Sequence, residues 1–467
     1  MFRFSINHRA VLPASAFFQP VRFIPIKYYL ILWVIFMTTS EVIGQQLQTD
    51  SAGTIPLTLD QIWEKVRINS KAIQIRKIQQ NSQIEGIKDA KTGRLPQIDA
   101  EGEYARVSNM PVYENGIFHT PAQFPVLHAY YKVGGSAYLN LYSGNKTNLE
   151  IAERKTGYKI AAEQTEMTIS EMKLRSAAYY LDMQRSIVFK GLLLKDIEAQ
   201  EKQLQRIKTL QLNGAVLKSD VLRAELKLSK QTFALVQLEN DLAIANEKLN
   251  TLLGLPDKQR IVPVGMGDPD AISLNSYDDY LAYAKGNAYQ VKITDQEKEL
   301  SRLYLKDIKA NVSPRVGLFA NYAYSYPQIF LYPYSANVYG FGMAGIKASF
   351  SISAFYQNNH KEKIARLNND LKDVESAQVR DNIREDVNEA FLRFQEAIKR
   401  VRVSETNVKQ ATENRRIVNN TYFNHLSLIT DLLDADTQLL QTHFDLAAAK
   451  IAAQLQYYQL LNITGKL

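Results

Sequence analysis

Residues 315–326 read Arg-Val-Gly-Leu-Phe-Ala-Asn-Tyr-Ala-Tyr-Ser-Tyr. Val316, Leu318, Ala320, Tyr322, Tyr324 and Tyr326 fall on one side of a period-two pattern, opposite Arg315, Asn321 and Ser325. This is a strand with one apolar and one polar face, about long enough to cross a membrane. It begins where Ser313-Pro314 stops a helical pattern. Three other segments alternate in the same way. In 97–104, after Leu95-Pro96, Gln97, Asp99, Glu101 and Glu103 oppose Ile98, Ala100, Gly102 and Tyr104. In 132–142, Val133, Ala137, Leu139 and Leu141 share a face. In 341–353, Ala344, Ile346, Ala348, Phe350 and Ile352 oppose Lys347, Ser349 and Ser351. Tyrosines near the strand ends suit a membrane–water interface. Four strands cannot close a membrane barrel, and lipid does not tolerate an open strand edge. Several chains must therefore pool their strands, and three would supply twelve.

The strands are flanked by long runs without proline, from Pro125 to Pro256 and from Pro333 to the end, rich in good helix formers. Residues 145–210 are predicted as one helix of about 100 Å, which implies an elongated molecule. Beyond it, Val221, Leu228, Leu235, Leu242 and Leu249 recur at heptad spacing. Ala224, Gln231, Leu238, Ala245 and Leu252 form the companion seam, as in coiled-coil packing.

The chain also repeats itself. Residues 58–105 align with 276–323 at a shift of 218, with identities that include Asp60/Asp278, Asn69/Asn287, Lys88/Lys306 and Pro96/Pro314. Residues 137–254 align with 348–465 at a shift of 211, with Asn213/Asn424, Leu217/Leu428, Asp220/Asp431, Ala224/Ala435 and Gly254/Gly465. The expected organisation is a first repeat at 57–254, a linker at 255–275 and a second repeat at 276–467. Each repeat reads helix, strand, loop, strand, long helix, turn, return helix. Ahead of them, an apolar run at 28–37 follows Arg22 and Lys27 and precedes Val42-Ile43-Gly44, so residues 1–44 read as a signal peptide and leader.

Composition narrows the function classes. The chain has 467 residues, a net charge of +8 and no cysteine, which excludes disulfides and thiolate chemistry. Part of the positive charge, Arg3, Arg9, Arg22 and Lys27, lies in the leader, so nucleic-acid binding loses support. The histidines His8, His119, His128, His360, His425 and His443 show no metal-ligand spacing. Gly340-Phe341-Gly342 leads into a strand rather than a helix and is not a phosphate loop. No catalytic site and no cofactor are expected.

The Thr58-Leu59-Asp60 helix opening, the Leu95-Pro96-Gln97 strand entry, the duplication and two helix-turn tips together resemble the TolC-like outer-membrane efflux proteins over residues 57–465. The resemblance implies a mixed, mainly α fold. Four strands per chain contribute to a homotrimeric twelve-stranded barrel in outer-membrane lipid, and long antiparallel helices form a periplasmic α-barrel. The implied role is the exit duct of a tripartite efflux or type I secretion system, joined to a periplasmic adaptor (membrane fusion protein) and an inner-membrane transporter. Asn213, Gly214, Ala215, Val216 and Leu217 are similar to the family's adaptor-facing turn, and Asn424, His425 and Leu426 form the second tip. Tyr422, Asp431 and Asp434 match residues at the family's closed periplasmic entrance. His425 stands where the family has glycine, and Ser427 where a basic residue is often found.

The residues themselves support a gate. Asp431 and Asp434, three apart, share a helix face. Threefold symmetry sets six such carboxylates around one axis, where they attract cations and repel one another. A helix cap for Asp431 and a solvated first-turn acid for Asp434 are the alternative roles. Asp220, the repeat equivalent of Asp431, is expected to accept a hydrogen bond from Tyr422 and tie neighbouring helices, while Arg223 stands at the position of Asp434. A soluble periplasmic coiled-coil scaffold or adaptor is the other reading, although adaptors usually carry one hairpin and this chain doubles everything.

Overall fold

The computed structural model describes residues 53–265, 275–328 and 335–467. The leader at 1–44, residues 266–274 of the linker and residues 329–334 of the second strand loop lie outside the described residues.

Helix α1 (Leu59–Asn69) starts at a capping box in which Thr58 Oγ1 accepts from the Gln61 amide and Gln61 Oε1 accepts from the Thr58 amide. The sequence predicts a single helix from here to the proline. Instead the backbone turns extended at Ser70 (φ −62°, ψ 123°) and a second helix, α2 (Lys71–Thr92), begins. The later half does the same after its own capping box at Ser276 and Asp279. There Ala288 (φ −58°, ψ 131°) separates a helix at Tyr277–Asn287 from one at Tyr289–Ala310. No proline marks either break, and the first has no glycine beside it, while Gly286 lies two residues before the second. Both arise from tertiary packing, because buried side chains on each side of the break fit one core.

The long helices are α3 (Lys146–Leu212, 67 residues) and a second of 70 residues at Ala354–Phe423, each about 100 Å. Their return partners are α4 (Lys218–Leu253) and a helix at Ile429–Thr464. In chain order the later four helices are α5 (Tyr277–Asn287), α6 (Tyr289–Ala310), α7 (Ala354–Phe423) and α8 (Ile429–Thr464). All ten heptad positions of α4 are buried or half-buried, as the spacing predicts. Ile62, Val66 and Ile73 share one core with Met172, Tyr180, Met183 and Leu249. Tyr280, Ala284 and Val291 share another with Ile383, Phe391, Phe394 and Leu460, at the positions offset by 218 and 211. Each return helix ends on its helix break. Gly254 (φ +66°) and Gly465 (φ +78°) close α4 and α8 in the left-handed conformation. Asn69 Nδ2 donates to the Leu253 carbonyl at 2.8 Å. A Cβ on Gly465 would stand 2.5 Å from the Asn287 carbonyl oxygen. The identities Asn69/Asn287 and Gly254/Gly465 are therefore two sides of one contact.

Strand β1 (Ile55–Leu57) precedes α1. The chief sheet contains β2 (Gln97–Arg106), β5 (Ala129–Tyr142), β7 (Arg315–Tyr326) and β8 (Tyr339–Ser349), antiparallel in the order β2-β5-β7-β8. The register aligns the alternations across all four strands. Ile98, Ala137, Ala320 and Ala344 form one row on the apolar face, and Leu139, Leu318 and Ile346 form the next. Asp99, Ser136, Asn321 and Met343 form a row on the other face. The apolar face is open: Ile98 is 76% exposed and Ile346 71%. At the loop end Tyr104, Tyr131 and Tyr326 share a row, and the Tyr131 and Tyr326 rings stack at 4.9 Å. Among the described residues neither β2 nor β8 has a second strand neighbour.

Several strand details differ from expectation. A bulge in β5 leaves Leu141 unpaired, so Tyr142 takes its place opposite Val316. Strand β8 ends at Ser349, since its partner β7 has no residue before Arg315 to extend the ladder. Residues 350–353 instead turn into α7 through Ala354 N–H to the Ser351 carbonyl and Phe355 N–H to the Ile352 carbonyl. Phe350 and Ile352 therefore leave the strand face. The loop at 107–131 holds a small hairpin, β3 (Met110–Val112) with β4 (Ala122–Phe124). The linker contributes β6 (Ile261–Pro263), which pairs in parallel with β1. Among the described residues no helix is long and apolar enough to cross a membrane.

Candidate functional site at the helix tips

The two hairpin turns share one geometry. At the first, Asn213 ends α3, Gly214 takes φ +74°, and the Ala215 amide donates to the Leu210 carbonyl at 2.9 Å. At the second, Asn424 ends α7, His425 takes φ +62°, and the Leu426 amide donates to the Thr421 carbonyl at 2.8 Å. Both reversals need the left-handed region, which glycine enters freely and histidine at a cost. Ala215 and Leu217 are exposed and Val216 half-buried; Asn424, His425 and Leu426 are all exposed. Leu217 and Leu428 stand at the entry to their return helices with extended backbones, 71% and 69% exposed. Ser427 meets Thr421, hydroxyl to hydroxyl, at 3.1 Å.

The aspartates divide by role. Asp431 Oδ2 accepts from the Leu428 amide at 3.0 Å and so caps α8, while its side chain stays exposed. Asp434 is exposed one turn further along. Asp220 is half-buried in the first turn of α4.

The expected Tyr422–Asp220 hydrogen bond is not formed. Tyr422 Oη is buried without a hydrogen-bond partner. The Tyr422 ring packs instead among Leu204, Ile207, Val221, Ala224, Ile429 and Leu432, edge-on to Phe423 at 5.1 Å. Burial, with the nearby Asp220 charge, pushes the Tyr422 phenol above its ordinary value. Phe423 in turn lies under the guanidinium of Arg206, 3.7 Å from the ring centre. The second tip is thus held to the first hairpin by apolar and cation–π contact rather than by a phenol–carboxylate bond.

Sequence reasoning missed Asp436. Its side chain is 1% exposed. Its Oδ1 accepts from Arg415 Nε at 2.8 Å, and its Oδ2 from Gln200 Nε2 at 3.1 Å and Gln203 Nε2 at 3.0 Å. Lys227 Nζ stands 3.6 Å from Oδ2 and donates to the Leu433 carbonyl at 2.8 Å. Gln231 bonds Asp196 beside it. Burial opposes the charge of Asp436, yet Lys227, Arg415 and Gln200 outweigh it and hold the carboxyl below its ordinary value. Burial dominates at the neighbours and pushes Asp196 up and Lys227 down. The signal was present in the sequence: Asp436 interrupts the apolar spacing of Ile429, Leu432 and Leu439. Among the described residues no group of His, Asp and Glu is arranged to hold a metal ion.

Comparison with known proteins places this architecture. A family model described as outer membrane efflux protein matches residues 63–255 and 299–466, well over half of the chain. No curated protein sequence matches. Among solved structures, CusC is 14% identical with a TM-score of 0.74, over 87% of this chain and 92% of that one. The outer membrane protein VceC of Vibrio cholerae is 14% identical with a TM-score of 0.70, over 87% and 96%. The MtrE outer membrane channel of Neisseria gonorrhoeae, solved in its open state, is 14% identical with a TM-score of 0.69, over 87% and 88%. At these identities the structures speak for the fold.

Proposed function

The chain belongs to the outer membrane efflux protein family, and we propose that three copies form a passive exit duct closed at its periplasmic end by the helix tips. It is an outer-membrane protein with a periplasmic extension. The observation that carries the duct is the four-stranded sheet, apolar on one face and unpaired at β2 and β8. Such a sheet survives in lipid only when its edges meet those of other copies. Three copies close twelve strands with the apolar face outward and the tyrosine row at one interface.

The helices support the same assembly. Leu222, Leu226, Phe233, Val236 and Ile244 form an exposed apolar stripe along α4, away from its seam with α3. Ile364, Leu367, Leu371 and Val374 form another on α7. A second copy buries both. The two halves are copies of one unit, at 57–254 and 276–467. Matched cores and matched Asn–Gly contacts support that reading.

The gate is a ring of Asp431 and Asp434 from three chains. Both carboxylates are exposed on one face of α8 near the tip. A periplasmic adaptor takes the tips at Asn213, Gly214, Ala215, Val216 and Leu217 and at Asn424, His425 and Leu426, where apolar side chains stand in solvent. An inner-membrane transporter supplies the energy, and the chain itself carries out no catalysis. The test is a planar bilayer with outer-membrane fractionation. Small, rarely open pores from a protein of the outer-membrane fraction are expected. A silent bilayer and a soluble periplasmic protein defeat the duct.

A further inference from the structure

We propose that Asp436 is the positioning residue that holds the hairpin α7–α8 against α3–α4, and that outward movement of α8 requires its carboxylate to leave Gln200, Gln203 and Lys227 while keeping Arg415. The inference rests on the duct reading above and goes beyond its exposed ring. Asp436 lies five residues past Asp431, about 7.5 Å further along α8. It is the meeting point of all four long helices of the chain. Arg415 comes from α7, Gln200 and Gln203 from α3, and Lys227 from α4.

The links divide by hairpin. Arg415–Asp436 lies within α7–α8 and travels with it. Gln200, Gln203 and Lys227 reach across from the other hairpin, and Lys227 also crosses to the Leu433 carbonyl. Sliding the hairpins apart must break these cross-links together. A buried carboxylate that loses its donors is costly unless water reaches it. The arrangement therefore has two low-energy states: dry and fully bonded, or parted and wet. The other carboxyl group in the cluster, Asp196 on α3, is bonded to Gln231 of α4 and stays with the first hairpin.

The experiment compares Asp436→Asn, Lys227→Gln and Arg415→Gln in full-length protein, by bilayer conductance and by amide hydrogen exchange of residues 415–436 in detergent. Asp436→Asn and Lys227→Gln are expected to raise the open fraction and the tip exchange about tenfold, the size of a typical coupling between states. Arg415→Gln is expected to move both less, because its bond does not cross between hairpins. Unchanged opening and exchange in folded Asp436→Asn and Lys227→Gln overturn the proposal. So does a larger effect from Arg415→Gln. Should Asp436→Asn fail to fold, Lys227→Gln decides, since it leaves Asp436 paired with Arg415. Should the unsubstituted protein make no pores, the duct fails and exchange alone decides the latch.

Discussion

The two hairpin tips follow the same backbone path yet are secured differently. The first turns on Gly214, a residue suited to φ +74°, and its aspartate, Asp220, makes no bond to Tyr422. The second turns on His425 at φ +62°, caps its return helix with Asp431, and leans on the other hairpin through Tyr422, Phe423 and buried Asp436. The strained turn belongs to the tip with more tethers. Strain at one residue persists where the surroundings fix it, and such strain collects in elements that switch. In the proposed duct the first tip is therefore the scaffold and the second the part that moves.

The largest expected effect separates charge from cap. Asp431→Asn with Asp434→Asn keeps an acceptor for the Leu428 amide and removes the charge of the proposed ring. Basal conductance should rise, and block by multivalent cations should weaken about tenfold. Unchanged block would leave Asp431 a helix cap and Asp434 a solvated acid. Next, Arg206→Ala should loosen only the second tip, by about 1 kcal/mol, read as faster proteolysis at residues 424–428 than at 213–217. Equal loosening of both tips breaks the contrast.

Glycine exchange probes the same asymmetry at a similar or smaller scale. Gly214→Ala should cost about 1 kcal/mol, all of it conformational, since a Cβ there meets nothing within 4 Å. His425→Gly should relieve strain at the second tip by a few tenths of a kcal/mol or more. Thermal unfolding of both variants checks the opposed signs.

The smallest effect concerns Tyr422. Its hydroxyl has no partner to lose, so Tyr422→Phe should change stability by less than about 1 kcal/mol. A larger loss would restore the phenol–carboxylate bond. Its phenol is raised, so the stability contributed by neutral Tyr422 is complete below the ordinary value near 10 and disappears as pH climbs through the raised one. Tip proteolysis should therefore rise at strongly alkaline pH in the unsubstituted protein and rise less in Tyr422→Phe.

Features written in local pattern were legible in the sequence. Period-two alternation found the four long strands, and the register put their apolar sides on one face. Heptad spacing found the seam of α4, and Asn213-Gly214 and its counterpart found both turns. Features that depend on distant partners were hidden. Ser70 breaks its helix with no local breaker, and Ala288 with only Gly286 two residues before it, because the end of a return helix docks at each. Leu141 bulges because of its neighbour strand, and three-residue strands such as β1 and β6 carry too little pattern to be seen. Asp436 was readable only as an acid in an apolar stripe: Arg415 is near in sequence, but Gln200, Gln203 and Lys227 lie more than 200 positions away on α3 and α4.

The unpaired margins of β2 and β8 also bear on inheritance. In the proposed trimer each ring would draw its members at random from the pool of newly made chains. A copy with one spoiled margin still offers a sound one, so it is recruited and then leaves a seam that lipid will not accept. One damaged allele would therefore ruin most of the proposed rings in a cell that also makes the intact product, and margin lesions should behave as dominant.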